Sequence, residues 1–134
     1  MDKKQILVVD DEPNVLVTYQ LILQQQGFAV TAAISSEEAR RCIDSVNIDL
    51  LLCDLSLEKQ ESGFDVIEYA RKKDAKIPVA LLTGYATQDA NDWASERGIP
   101  VLFKPIDIQH LLETINALIA NEGGSNAASQ AGQT

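Results

Sequence analysis

The stretch Asp49-Leu50-Leu51-Leu52-Cys53-Asp54 is a short apolar run with a carboxylate at each end. A run of about four to eight uninterrupted apolar residues is typical of a strand buried on both faces. An acid placed where such a strand leaves a parallel sheet lies at the carboxyl edge, where open α/β folds bind their ligands. The stretch therefore predicts that Asp54 is a reactive group, although a single Asp after a strand is also a common turn or capping residue.

The size and charge of the chain restrict the classes of protein to which it could belong. Its 134 residues suit one domain, and a hydrophobic content of 46% with 23% charged residues is typical of a soluble globular protein. No apolar run approaches the roughly 20 residues that cross a bilayer, and the first residues do not resemble a signal peptide. We therefore expect a cytoplasmic protein without a membrane contact. The net charge of −9 opposes direct binding to nucleic acid.

Apolar runs and helical patterns alternate five times along the chain. Strands are predicted at residues 6–9, 28–34, 49–54, 78–82 and 100–103, each followed by an amphipathic or capped helical segment. This alternation predicts a doubly wound α/β fold, in which five helices cover both faces of a five-stranded parallel sheet. From Asn121 the composition shifts to small and polar residues. The predicted domain therefore comprises residues 1–120, and residues 121–134 form a flexible tail or linker.

Polar side chains that could take part in catalysis or ligand binding follow four of the five predicted strands. They are Asp10 and Asp11 after the first strand, Asp54 after the third, Thr83 after the fourth and Lys104 after the fifth. Because the carboxyl ends of parallel strands meet at one edge, these groups converge if their strands are neighbours. The joint pattern favours a functional site over a set of unrelated caps.

The residue types at this edge indicate which ion and which ligand the site would bind. Three carboxylates close together repel each other unless a cation joins them, and oxygen ligands without His or Cys favour Mg²⁺. A lysine ammonium and a threonine hydroxyl then suit a tetrahedral anion such as a phosphoryl group. Since a carboxylate can accept a phosphoryl group, Asp54 is the candidate nucleophile.

The sequence resembles the receiver domain of two-component response regulators, the CheY-like family. The resemblance covers residues 5–120 and is carried by four segments in order and spacing: Val8-Val9-Asp10-Asp11-Glu12-Pro13, the strand that ends at Asp54, Leu82-Thr83-Gly84 and Phe103-Lys104-Pro105. It implies a flavodoxin-like sheet with strand order 2-1-3-4-5 and a cis bond between Lys104 and Pro105.

The same resemblance implies a role for each site residue. Asp54 would take a phosphoryl group from the phosphohistidine of a histidine kinase or a phosphotransfer protein. The Mg²⁺ ion would be held by Asp11, Asp54 and the backbone carbonyl of Ser56, with Asp10 acting through water. Lys104 would pair with one phosphoryl oxygen and Thr83 with another. The output would pass to a protein partner or to a fused output domain.

Three positions depart from the pattern of the family. The loop at residues 55–63 lacks the usual Met-Pro pair and is one residue longer. Val101 occupies the position of an aromatic residue that couples phosphorylation to output. Tyr85 stands where the family tunes the lifetime of the phosphoryl group.

Two other functions fit parts of the pattern. A Mg²⁺-dependent phosphohydrolase would use Asp10 as its nucleophile, but such enzymes need an Asp two residues later, where this chain has Glu12. A non-catalytic flavin or nucleotide module would need a glycine-rich phosphate loop after the first strand, and none is present in the sequence. The expected function is therefore a signalling switch that modifies itself, not an enzyme with a separate substrate.

Overall fold

Strands and helices alternate throughout the computed structural model, which describes residues 3–55, 63–84 and 88–124, the segment 121–124 by its backbone only. The strands are β1 (Gln5–Val9), β2 (Ala29–Ala33), β3 (Leu50–Asp54), β4 (Val79–Thr83) and β5 (Val101–Phe103). The helices are α1 (Pro13–Gln25), α2 (Ser36–Ser45), α3 (Gly63–Lys73), α4 (Gln88–Glu96) and α5 (Ile108–Gly124).

The five strands form one parallel sheet in the order β2-β1-β3-β4-β5. The predicted fold class and strand order are thus confirmed. The apolar run that ends at Asp54 is the central strand β3, which pairs with β1 on one side and β4 on the other. All five of its residues are buried, which explains why no polar residue interrupts its apolar run.

Alternate residues of each strand contribute to two separate hydrophobic cores. On one face, Leu51 and Cys53 pack with apolar residues of α2, α3 and α4. On the other, Leu50 and Leu52 pack with residues of α1 and α5. Since both faces are covered, the side chains of β3 and β4 are apolar until these strands reach the carboxyl edge of the sheet.

Local sequence signals fix the ends of several helices. Gly27 and Gly98, which follow α1 and α4, have φ angles of +96° and +67°, a region that L-residues with a side chain avoid. At the start of α2, the Ser35 hydroxyl accepts a hydrogen bond from the Glu38 N–H at 3.1 Å. The Glu38 carboxylate accepts one from the Ile34 N–H at 2.9 Å, which completes a variant of the predicted capping box.

Helix α5 ends at Gly124, and residues 125–134 of the proposed tail lie outside the described residues, so the domain boundary at residue 120 stays a prediction. The sequence also predicts that both cysteines are buried. Cys53 has no exposed surface, but Cys42 is only half-buried at the edge of the core, because it lies toward the outer side of α2.

The burial of β3 predicts how the two thiols react. Burial, together with the nearby carboxylates of Asp54 and Asp10, raises the pKa of the Cys53 thiol, so it stays protonated and covered. In a Cys42→Ser variant, we expect a disulfide reagent to leave Cys53 unmodified in native buffer and to modify it fully in guanidinium chloride. The control is Cys53→Ala, in which Cys42 should react slowly in native buffer. Rapid native labelling of Cys53 would contradict the burial of β3.

Candidate functional site at the carboxyl edge of the sheet

Four polar side chains predicted from the sequence lie at the carboxyl ends of β1, β3, β4 and β5. Asp54 is the last residue of β3 and Thr83 the last of β4, while Asp10 and Lys104 directly follow β1 and β5. All of these strands are parallel neighbours, so their carboxyl ends share one edge. The two carboxylates and Thr83 are nearly inaccessible, with exposed fractions of 0% for Asp10, 5% for Asp54 and 2% for Thr83.

The ammonium group of Lys104 bridges two of the carboxylates. Its Nζ lies 2.8 Å from Oδ2 of Asp10 and 3.2 Å from Oδ2 of Asp54. The other oxygen of Asp10, Oδ1, accepts a hydrogen bond from the Glu12 N–H at 3.0 Å. These contacts supply the partners that a buried carboxylate needs, since a carboxylate without them would be costly to bury.

Asp11 adds a third carboxylate to the cluster. One oxygen from each of Asp10, Asp11 and Asp54 lies within 4.8 Å of the others. Asp11 is partly exposed, whereas Asp10 and Asp54 are buried. Three carboxylates with one ammonium leave an excess of two negative charges in a small volume. This oxygen-only donor set suits a hard divalent cation.

The acidic surroundings change the protonation of two neighbouring groups. Burial lowers the pKa of Lys104, but hydrogen bonds and charges from Asp10 and Asp54 outweigh this effect and raise it above the ordinary value. The lysine therefore remains charged at neutral pH. Burial also raises the pKa of Tyr19, which packs from α1 near the same charges and stays neutral.

Backbone hydrogen bonds hold the ends of the strands in position. The Lys104 N–H donates to the Thr83 carbonyl at 2.7 Å, and the Leu55 N–H donates to the Leu82 carbonyl at 2.8 Å. These bonds extend the ladder just past β3 and β5, where the functional residues stand. The bond between Lys104 and Pro105 is cis, as the resemblance implied.

Gly63 is a site-supporting residue that sequence reasoning missed. The sequence predicts a polar loop up to this residue, whereas Gly63 begins α3, and its N–H donates to the Leu55 carbonyl at 2.9 Å. A Cβ at this position would overlap the backbone carbonyl oxygen of Asp54. Only glycine lets α3 start this close to the end of β3. The one feature of the sequence that indicates this close approach is a glycine at the junction of a polar loop and a helical pattern.

Not every residue singled out from the sequence is described by the structure. Ser56 and Tyr85 lie outside the described residues, so their roles stay predictions. Val101 is half-buried and packs against the core formed with α2, α3 and α4. Phe103, by contrast, is 55% exposed and pairs in register with Thr83.

Comparison with known families identifies the class of protein that this fold and site define. The sequence profile of the response regulator receiver domain matches residues 6–116. The chain therefore belongs to the receiver domain family of two-component response regulators. Receiver domains are signalling switches and not substrate-turnover enzymes.

Individual relatives agree with this assignment. The chain is 30% identical over 116 residues to the response regulator protein PilR of Pseudomonas aeruginosa, a match that covers 86% of this chain and 26% of the relative. It is 29% identical over 126 residues to the transcriptional regulatory protein PrrA of Mycobacterium leprae, covering 93% of this chain and 54% of that protein. The chain thus spans between about a quarter and about a half of these relatives.

Solved structures show the same fold. A CheY-like receiver domain protein from Methanospirillum hungatei matches with a TM-score of 0.87 and 26% identity, over 93% of this chain and 100% of that one. A receiver domain protein from Clostridium thermocellum matches with a TM-score of 0.81 and 32% identity, over 90% and 97% of the two chains.

Among the described residues, no helix is both long and apolar enough to span a membrane.

The close approach at Gly63 makes a testable prediction. Gly63→Ala should lower the free energy of unfolding by about 1–3 kcal/mol, because the new methyl group must push α3 away from the end of β3. Urea unfolding measures this effect. The matched control is Gly84→Ala, since a Cβ at Gly84 meets nothing within 4 Å. Equal stability of the two variants would show that α3 does not contact Asp54 in this way.

Proposed function

We propose that this domain is a phosphorylation-controlled switch in which Asp54 accepts a phosphoryl group from the phosphohistidine of a histidine kinase or phosphotransfer protein. The observation that carries the proposal is the placement of the Asp54 carboxylate beside a lysine ammonium and two further carboxylates. A carboxylate so placed has both a cation for the incoming anion and an acidic cluster for a metal. Asp10 has the same neighbours, but it has no exposed surface, and both of its oxygens already accept hydrogen bonds.

In the proposed reaction, an oxygen of the Asp54 carboxylate attacks phosphorus. The bond between phosphorus and the histidine nitrogen breaks, the imidazole leaves, and Asp54 becomes an acyl phosphate. Lys104 already contacts Asp54, so a small movement of its ammonium would pair it with a phosphoryl oxygen. The Thr83 hydroxyl, at the end of the next strand, would donate to another oxygen. Self-phosphorylation and self-dephosphorylation would be the only chemistry of the domain.

A divalent cation fits the acidic cluster, and Mg²⁺ matches its donors best. The carboxylates of Asp10, Asp11 and Asp54 offer the oxygen ligands that Mg²⁺ prefers, with an excess of negative charge. The Ser56 carbonyl is the further ligand implied by the family, with Asp10 acting through water. When bound, the ion would neutralise charge that develops on the transferred phosphoryl group. Meanwhile Asp10 and Lys104 would hold the Asp54 carboxylate in place.

The geometry of Asp10 opposes the alternative of a phosphohydrolase with Asp10 as nucleophile. Asp10 has no exposed surface, and its two oxygens accept hydrogen bonds from the Glu12 N–H and from Lys104. A phosphate ester therefore has no path to an oxygen of Asp10 without disrupting these bonds. Asp54 is the better nucleophile.

The proposed partners follow from this chemistry. A histidine kinase or phosphotransfer protein would supply the phosphoryl group in the cytoplasm. The output would act through a separate protein or through a fused output domain, and the greater length of the relatives favours the fused arrangement. Direct contact of this acidic domain with nucleic acid or membrane is not part of the proposal.

The identity of the phosphoacceptor can be tested directly. The native protein incubated with acetyl phosphate and Mg²⁺ should gain one phosphoryl group that hydroxylamine removes, because acyl phosphates react with hydroxylamine. Asp54→Asn should remain unmodified in intact-mass spectrometry. Asp65→Asn, which removes an exposed acid from the first turn of α3, is the control and should label like the native protein. Full labelling of Asp54→Asn would refute the assignment.

The acidic cluster predicts a link between Mg²⁺ and stability. Mg²⁺ at about 100 times its dissociation constant should raise the free energy of unfolding by about 2.7 kcal/mol, since the ion binds only the folded cluster. Asp11→Asn should be up to about 1 kcal/mol more stable than the native protein without Mg²⁺, because it removes like-charge repulsion.

In the same variant, the stabilisation by Mg²⁺ should be largely lost. Urea unfolding with and without Mg²⁺ measures both effects, and Asp65→Asn again serves as the control. A Mg²⁺ effect in Asp11→Asn equal to that of the native protein would place the ion elsewhere.

A further inference from the structure

A groove between α3 and α4 carries a concentration of positive charge that the proposed function does not use. Its volume is about 440 Å³, and it is lined by Ile67, Glu68, Arg71, Lys72, Trp93 and Arg97. Three cations face one acid there, although the chain as a whole has 11 cations and 20 acids. Since Gly63 starts α3 at the carboxyl edge, Arg71 and Lys72 at its other end lie toward the opposite edge of the sheet.

Backbone carbonyls hold the two arginines of the groove in fixed positions. Arg71 donates through Nη1 to the Arg97 carbonyl at 3.3 Å and through Nη2 to the Ile77 carbonyl at 3.2 Å. Arg97 donates to the Trp93 carbonyl at 3.0 Å, and its Cζ lies 4.2 Å from the centroid of the Trp93 ring. These carbonyls orient the guanidinium groups, but they do not neutralise their charge.

Carboxylates do little to compensate these cations. Within residues 3–55, 63–84 and 88–120, neither Arg71 nor Lys72 forms an ion pair, and Arg97 has only a 3.7 Å pair with exposed Glu96. Burial and then the charge of Arg97 lower the pKa of Arg71, against the opposite effect of Asp74. An anion in the groove would relieve this repulsion between like charges.

The surroundings of Trp93 decide which kind of anion fits. The Phe64 ring lies 4.3 Å from the Trp93 centroid, and the Arg97 guanidinium lies 4.2 Å from it. Both groups already contact the Trp93 ring, so a nucleobase would compete with them for stacking. The edge of Trp93 and the side chain of Ile67 remain as an apolar floor. This combination suits a peptide with acidic and apolar side chains.

We propose that the groove between α3 and α4 binds an acidic segment of a partner protein. Carboxylates of the segment would pair with Arg71, Lys72 and Arg97, and an apolar side chain would contact Ile67 and Trp93. Because acids outnumber cations over the chain as a whole, a site where three cations face one acid would favour such a segment. The proposal is independent of phosphorylation at Asp54.

Trp93 is the single tryptophan of the chain, so its fluorescence reports on the groove directly. The probe is a synthetic peptide of alternating acidic and leucine residues, Glu-Leu-Asp-Glu-Leu-Asp. We expect a saturable fluorescence change below about 1 mM. The neutral peptide Gln-Leu-Asn-Gln-Leu-Asn should give at least about tenfold weaker binding, because it lacks the carboxylates.

Matched charge reversals separate the groove from the general charge of the protein. Lys72→Glu with Arg97→Glu should weaken binding of the acidic peptide by at least about tenfold. Lys4→Glu with Arg41→Glu changes exposed positions on other elements by the same charge and should leave binding within about twofold. Thermal unfolding of both variants checks that the fold is retained, and Lys72→Glu alone provides a milder variant that leaves the contacts of Arg97 intact.

Three results would overturn the proposal. The first is the absence of a saturable signal with the acidic peptide. The second is equal loss of binding in the control variant, which would indicate a general charge effect. The third is tighter saturable binding of inorganic phosphate or ATP than of the peptide, which would make the groove a small-anion site.

Discussion

The bridge from Lys104 to Asp10 and Asp54 is the interaction on which the functional edge of the sheet depends. Two carboxylates with almost no exposed surface can remain ionised only if a cation and hydrogen-bond donors compensate them. The lysine follows β5, and its two ion pairs connect the end of β5 to the ends of β1 and β3. Breaking such a buried pair by removal of one partner typically costs about 3–5 kcal/mol. The same lysine therefore stabilises the resting domain and stands ready beside the proposed phosphoacceptor.

The sheet makes this arrangement possible by confining polar groups to one edge. Both of its faces are covered by helices, so β3 and β4 are apolar until their last residues, Asp54 and Thr83. The carbonyl of Thr83 and the N–H of Lys104 continue the ladder for one more step, which fixes the lysine backbone. Gly63 brings α3 directly against the Asp54 backbone. The Asp54 side chain is thus presented by a rigid frame with little room for displacement.

Much of the fold and of the candidate site could be predicted from the sequence, because both depend on local patterns. Asp10, Asp54, Thr83 and Lys104 each follow an apolar run, and the rule that parallel strands end at one edge brings them together. Periodicity alone did not give the order of the strands, which came from the resemblance to receiver domains. The contact of Gly63 with the Asp54 backbone arises from the packing of α3 against β3, which a glycine at the start of a helical pattern does not reveal by itself. Likewise, the groove joins residues of two helices whose packing is a tertiary property.

The cations of this acidic chain are held in two physically different ways. At the carboxyl edge, carboxylates hold Lys104, and their charges outnumber that of the ammonium, which suits the proposed cation. In the groove between α3 and α4, backbone carbonyls hold Arg71 and Arg97, and a carbonyl dipole orients a guanidinium group without removing its charge. Positive potential therefore persists at the groove, whereas negative potential persists at the edge. Because the two sites lie toward opposite edges of the sheet, the proposed cation and the proposed acidic segment would bind the same domain without competing.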